Sequence, residues 1–207
     1  MRVWRIPLST NVERVALALG HKRLTVDWVD VEPDDRSAVV ALSGQRRVPV
    51  LEDDDGRVVV DSTVILEHLE RRFPEPRLYP SDPLGAQVRL FVEWFERAWK
   101  PAAGSIEAEL VDHAPNPDQA VIAELEARLE GALDLLEGLL RGGDFLLGGQ
   151  FTAADCVAFP FIKYAALGMP PGDDKLFHRI LVEHQPVGGS HPLLIAWINR
   201  VDAMPRA

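Results

Sequence analysis

Residues 3 to 6, Val3-Trp4-Arg5-Ile6, are apolar and β-prone with a single charge among them and read as a short strand. The polar loop Pro7-Leu8-Ser9-Thr10-Asn11 follows, rich in helix-capping residue types, and Val12, Val15, Ala16 and Leu19 then trace a helical stripe that stops at Gly20-His21. Leu24 to Val31 reads as a second strand, and Pro33-Asp34-Asp35 opens a short helical stretch around Arg36 to Leu42. Val48 to Glu52 and Val58-Val59-Val60 flank the turn signal Asp53-Asp54-Asp55-Gly56, which predicts a hairpin. Ile65, Leu66, Leu69 and Phe73 fall at helical spacing immediately after Ser62. The order β-α-β-α-β-β-α over the first 75 residues predicts an α/β layer of four strands.

Four prolines within residues 74–83 can continue neither regular structure, which marks an interdomain linker. Beyond it only helical periods occur: Val88, Phe91, Val92, Phe95 and Trp99, then Ile122, Leu125, Leu129, Leu133, Leu136 and Leu140, and finally Leu194, Trp197, Ile198 and Val201. Pro101 is expected to kink or end the first of these helices. The expected organisation is an α/β domain over 1–75, a linker over 76–83 and an all-α domain over 84–207.

Composition adds constraints rather than structure. A 47% hydrophobic content suffices for packed cores, and a net charge of −10 with no Lys/Arg run longer than a pair argues against nucleic acid and anionic membrane surfaces as partners. Cys156 is the single cysteine, so an intrachain disulfide is excluded and a cytoplasmic setting expected; no apolar run reaches the ~18 residues of a membrane span. His21, His68, His113, His178, His184 and His191 show no ligand spacing, so no metal is expected. Gly143 and Gly148 have phosphate-loop spacing, but Gly149-Gln150 stands where Lys-Ser/Thr is required.

The candidate chemistry lies in three places. Pro49 cannot donate to a ladder, which puts the start of its strand at a sheet edge or beside a tight turn. Asp61-Ser62 sits at the start of a helix, where free N–H groups and the positive dipole end favour a carboxylate and Asp61 can take an ammonium; the alternative is that Ser62 is only an N-cap and Asp61 a solvated turn residue. Ser9 precedes the first helix, with Thr10 and Asn11 as adjacent polar rivals.

Taken together, Ser9 with Arg14-Val15, Val48-Pro49-Val50-Leu51 with Asp61-Ser62 and Ile65, and Gly149-Gln150-Phe151-Thr152-Ala153-Ala154-Asp155 resemble the cytosolic glutathione transferases. The resemblance implies a thioredoxin-like N-terminal domain, an all-α C-terminal domain, a homodimer, and glutathione as co-substrate without a metal. No cysteine or tyrosine lies in the first loop, so the chain is most similar to the serine-type groups, theta, phi, zeta and many bacterial members. On that resemblance Ser9 donates to the glutathione thiolate, a cis Val48-Pro49 bond presents the Val48 backbone to the tripeptide, Arg47 holds its glycyl carboxylate, and Asp61 and Ser62 hold its γ-glutamyl end. Lowering a thiol pKa of ~8.5 by about two units takes ~2.7 kcal/mol, the size of one or two charge-assisted hydrogen bonds. The expected reaction is conjugation of the thiolate to a small apolar electrophile. Alternatives are a glutathione-dependent isomerase of the zeta kind and a non-catalytic binding or regulatory protein on the same fold.

Two departures from the family pattern stand out: Gly44-Gln45-Arg46-Arg47 lengthens the approach to Val48-Pro49, and Asp61 replaces the usual glutamate. Thr152 and Asp155 have capping-box spacing, a structural feature of the second domain. Trp94, Phe95 and Trp99 could face an acceptor pocket or be plain core.

Overall fold

Each of the four strands is short enough that its neighbours, not its own length, hold it in place. In the computed structural model, which describes residues 1–207, β1 (Arg2–Arg5), β2 (Asp27–Asp30), β3 (Val50–Glu52) and β4 (Val58–Val60) form one sheet in the order β2-β1-β3-β4. β1 and β2 run parallel, joined through α1 (Thr10–His21), while β3 is antiparallel to both β1 and β4. The register aligns Val3 with Leu51 and Leu51 with Val59, all three buried on one face. Val50 turns to the other face, where Ile6, Val31 and the Val39 side chain of α2 (Ser37–Ser43) close around it. α1 and α3 (Ser62–Arg72) pack against each other through apolar stripes that include Val15, Leu19, Ile65 and Leu69.

Three details differ from the sequence expectation. β2 starts at Asp27 rather than Leu24, because the Arg23 and Leu24 amides close the end of α1 onto Gly20 O and Leu19 O, with Arg23 at φ 57. β3 starts at Val50 rather than Val48, since Pro49 has no N–H to give a ladder. β3 also lies inside the sheet, so Pro49 marks the approach to an internal strand and not an edge.

The chain divides into one unit of Met1–Pro80 with Met204–Ala207 and a second of Ser81–Ala203. Much of the proline-rich stretch is thus anchored to the first unit. Glu70 accepts the Leu78 N–H at 2.9 Å and the Tyr79 N–H at 3.2 Å, and the buried Lys22 Nζ donates to Glu70, to Phe73 O and to Pro76 O. The last four residues lie along α1 and reach β2: Arg206 Nη2 donates to Glu13 of α1 at 3.0 Å, and Trp28 Nε1 of β2 donates to Ala207 O at 3.0 Å.

The second unit is helical. α4 (Leu84–Trp94) passes through a π-turn, Phe95–Trp99, into α5 (Lys100–Asp112). Pro101 offers no N–H to the Arg97 carbonyl, and the wide turn just ahead of it absorbs that gap, so the helix continues past the proline. α6 (Gln119–Leu139), α7 (Ala153–Ile162), α8 (Tyr164–Leu167), α9 (Leu176–Glu183) and α10 (Pro192–Asp202) complete it. Every residue of α7 is buried, and its start is capped by Thr152 and Asp155: Asp155 Oδ2 accepts the Thr152 N–H at 2.9 Å, and Thr152 Oγ1 accepts the Ala154 N–H at 3.3 Å. Cys156 is buried in this helix.

Candidate functional site

The sheet register decides where the candidate residues meet. Trp4 near the end of β1, Val50 at the start of β3 and Val60 at the end of β4 stand side by side. The loop carrying Ser9, the Val48-Pro49 turn and the Asp61-Ser62 pair therefore all leave the sheet from the same end.

Ser9 occupies the N-cap position of α1, and its hydroxyl makes no capping bond. The backbone around it is fixed on both sides, Ser9 N–H donating to Ile6 O at 3.2 Å and Ser9 O accepting from Glu13 N–H at 3.0 Å. Leu8 ahead of it sits at φ 62. Thr10 is already inside the helix and buried. Among the three polar neighbours, Ser9 is the one at the helix mouth.

The Val48-Pro49 peptide is cis. Gln45 braces the longer loop that leads to it: its side-chain carbonyl accepts the Arg47 N–H and its amide nitrogen donates to Arg47 O at 2.9 Å. Arg36 Nη1 holds Arg46 O at 3.1 Å. The side chains of Arg46 and Arg47 are exposed, and the Val48 backbone lies outside the ladder, which begins at Val50.

Asp61, not Ser62, is the N-cap of α3, which removes the reading of Ser62 as a mere cap. Asp61 Oδ1 accepts from Thr63 N–H at 2.8 Å, Thr63 Oγ1–H at 2.6 Å and Val64 N–H at 3.4 Å. Its backbone stands at φ 72 and ψ 129, a region that costs a non-glycine residue of order 1–3 kcal/mol and that gathers at ligand clamps. The first-turn amides of Thr63 and Val64 are taken by this cap, whereas that of Ser62, the first helical residue, has no acceptor within the protein. Ser62 is only 4% exposed, and its Oγ accepts from Arg14 Nη1 at 3.2 Å.

Arg14 is the residue whose role sequence reasoning missed. It is fully buried on α1 among Val12, Val15 and Ala16. The available signal was a charge inside an otherwise apolar run, since an arginine there must have a partner in the fold.

In the second unit, a cavity of about 610 Å³ opens between α6 and the π-turn with α5, lined by Trp94, Arg97, Trp99, Ser105, Leu125 and Arg128 among others. Phe95 and Trp99 are stacked at 4.6 Å and meet Phe161 at 5.7 and 5.8 Å, so both are core aromatics, Trp99 also reaching the cavity wall, while Trp94 is half-buried at the cavity.

Two family models match, "Glutathione S-transferase, N-terminal domain" over residues 4–77 and "Glutathione S-transferase, C-terminal domain" over 119–200. Glutathione S-transferase F6 of Arabidopsis thaliana is 26% identical over 216 residues, covering 100% of this chain and 97% of its own length. Maleylacetoacetate isomerase of Pseudomonas aeruginosa is 37% identical over 90 residues, 41% of this chain and 42% of its own. A crystal structure of a glutathione S-transferase from Rhodospirillum rubrum superposes with a TM-score of 0.75 at 26% identity, covering 99% of this chain and 88% of that one. With both family domains matched in order on the sheet and on the helical unit described above, the chain belongs to the glutathione S-transferase family.

Proposed function

We propose that the protein is a glutathione transferase that joins the glutathione thiolate to a small apolar electrophile, working in the cytoplasm as a homodimer. The observation that carries this reading is the convergence at one end of the sheet of three groups the fold leaves uncommitted: the Ser9 hydroxyl, which caps nothing, the Val48 backbone outside the ladder, and the Ser62 amide without an acceptor. A peptide pairs with Val48 in antiparallel fashion, its γ-glutamyl carboxylate meets Ser62 at the α3 N-terminus, Asp61 takes the ammonium, and Arg47 takes the glycyl carboxylate. The Ser9 hydroxyl donates to the sulfur, and the positive end of α1 adds to the stabilisation of the thiolate. The thiol proton passes to solvent, the sulfur forms the new S–C bond, and a displaced group departs with its bonding electrons. Serine here is a donor; the nucleophile is the bound sulfur.

Calorimetric titration with glutathione tests the ligand, and conjugation of an electrophilic aryl halide tests the chemistry. Ser9→Ala is expected to keep glutathione affinity and to lose about 10²-fold in conjugation rate. Equal rates for variant and wild type would remove Ser9 from the mechanism. Sedimentation tests the dimer, a 23.0 kDa species at every concentration being the result that refutes it.

The identity with maleylacetoacetate isomerase favours one second reading, reversible addition of the same thiolate to an activated double bond. Turnover of a cis-enone diacid without net consumption of glutathione distinguishes it from conjugation.

A further inference from the structure

A single side chain holds both backbone groups of Arg47. Gln45 Oε1 accepts the Arg47 N–H, and Gln45 Nε2 donates to Arg47 O at 2.9 Å. The two contacts fix which end of the amide faces which group, since one needs an acceptor and the other a donor. Gln45 Nε2 also donates to Ser43 Oγ at 3.0 Å, and that hydroxyl donates to Val39 O at 2.7 Å. The clamp is thereby rooted in α2, whose Val39 is fully buried in the core cluster that Val48 packs against.

Pairing both groups of one residue is what a neighbouring antiparallel strand does. In an extended chain the groups of successive residues point to opposite edges, so Gln45 on one edge turns those of Val48 to the other. Pro49 keeps Val48 in the extended region and adds no N–H of its own. The Val48 N–H and C=O have no partner within the protein, and the exposed Arg47 guanidinium makes no ion pair. The extra length of the loop over 44–47, which would otherwise loosen both residues, is taken up by the clamp.

We propose that Gln45 is a positioning residue for the thiol peptide: it aims the Val48 backbone outward and fixes the root from which the Arg47 side chain reaches the glycyl carboxylate. This rests on the reading of Val48 as the pairing edge and of Arg47 as the carboxylate's partner. An antiparallel peptide paired with Val48 through its cysteinyl residue brings its next residue, glycine, opposite Arg47. That pair has no ladder bonds and its chains stand closest, so the carboxylate meets the guanidinium and not the Arg47 backbone. An exposed arginine on a free loop gains little from a carboxylate, because ordering it is costly; a fixed backbone removes part of that cost before the ligand arrives.

Calorimetric titration compares glutathione with its glycine amide, which differs only by the loss of the glycyl charge. The wild type is expected to prefer glutathione by ~10-fold, and Arg47→Met to reduce this to about twofold. Gln45→Met matches glutamine in length but pairs with neither group of Arg47. It is expected to weaken the amide by about threefold and glutathione by ~10-fold, so that the preference drops to about threefold. Added to Arg47→Met, it should weaken both ligands alike and leave the preference where Arg47→Met alone puts it. Ser43→Ala, which removes the root of the clamp in α2, should move the preference the same way by a smaller factor. It carries the test if Gln45→Met shows no cooperative unfolding transition. A folded Gln45→Met with the wild-type preference, even if it binds both ligands more weakly, makes the clamp a plain loop brace and overturns the proposal while the glutathione reading stands. A wild type that binds neither ligand, or both equally, overturns the reading of this edge, and the role of Gln45 with it.

Discussion

Trp197 Nε1 donates to Asp155 Oδ1 across 2.8 Å, with both residues at 0% exposure. The same carboxylate takes the Leu146 N–H at 3.0 Å, the Thr152 N–H at 2.9 Å and the Thr152 hydroxyl at 3.2 Å. One side chain therefore ties the start of α7 to the preceding turn and to α10. Asp155→Asn puts an NH₂ in front of at least one of these donors and is expected to cost about 1–3 kcal/mol in urea unfolding. A midpoint within error of wild type would remove Asp155 as a fastener of the helical unit.

Burial pushes the Asp155 carboxyl up, and the bonds from Leu146, Trp197 and Thr152 only partly oppose it. A folded-state value above that of the unfolded chain, which titrates near ~3.9, means that this group's contribution to stability is largest at low pH and falls as pH rises through the raised folded value. The stability gap between wild type and Asp155→Asn is accordingly expected to narrow as pH rises above about 4. A gap that widens with pH reverses the assignment.

Asp53 has the opposite sign. Its burial by itself would raise the carboxyl, but the hydrogen bond from His68, at 2.7 Å, the Asp54 N–H and the Arg72 charge together hold it below the usual range. Stability from this group is present above the unfolded value of ~3.9 and is lost as pH falls through the lower folded one. Asp53→Asn should therefore flatten the acid limb of the unfolding profile, bringing the two curves together below about pH 4. This network anchors the hairpin turn to α3, so the variant is also expected to be less stable at neutral pH.

How much of this was legible in the sequence follows the range of each interaction. The strands, α1, α3 and the helical half were readable because alternation and 3.6-residue stripes are local, and the turn residues 53–56 sit between two apolar runs. The convergence of Ser9, Val48 and Ser62 could be read only through resemblance, since it depends on the Trp4–Val50–Val60 register, which joins positions far apart in the chain. Val48 looked like strand because its side chain is apolar; Pro49 decided otherwise through a missing donor. The π-turn ahead of Pro101 changes no hydrophobic period, so the pattern shows a helix with a proline and no more. The binding of residues 204–207 to α1 and of the 76–79 stretch to Glu70 and Lys22 leaves no trace in any window, because each is a handful of polar contacts between distant positions.

Gly20 gives a direct probe of the first of those contacts. A Cβ built on it would lie 2.1 Å from Pro205 O, a backbone atom that can yield only if the tail moves. Gly20→Ala should thus release residues 204–207 from α1, seen as faster hydrogen exchange at Ala207, whose N–H donates to Ala16 O at 3.3 Å. A loss of about 1–3 kcal/mol is expected from the overpacking. Unchanged exchange at Ala207 would mean that the tail is not held where Gly20 meets it.

Asp61 is asked to do two things, and one substitution separates them. As N-cap it uses an oxygen; as a partner for the γ-glutamyl ammonium it needs a charge. Asparagine keeps the cap, since its side-chain carbonyl can accept from Thr63 and Val64 as Asp61 Oδ1 does, and it is among the residues best suited to positive φ. Asp61→Asn should therefore lose less stability than Asp61→Ala, which loses the cap at φ 72 and should cost about 1–3 kcal/mol. Glutathione affinity is expected to divide differently: both variants lose the charge, and both should bind roughly tenfold more weakly in calorimetric titration. If Asp61→Asn binds glutathione as wild type does, the Asp61 charge plays no part in holding the ligand, the ammonium is met elsewhere, and the unusual backbone at Asp61 is a demand of the hairpin-to-helix corner.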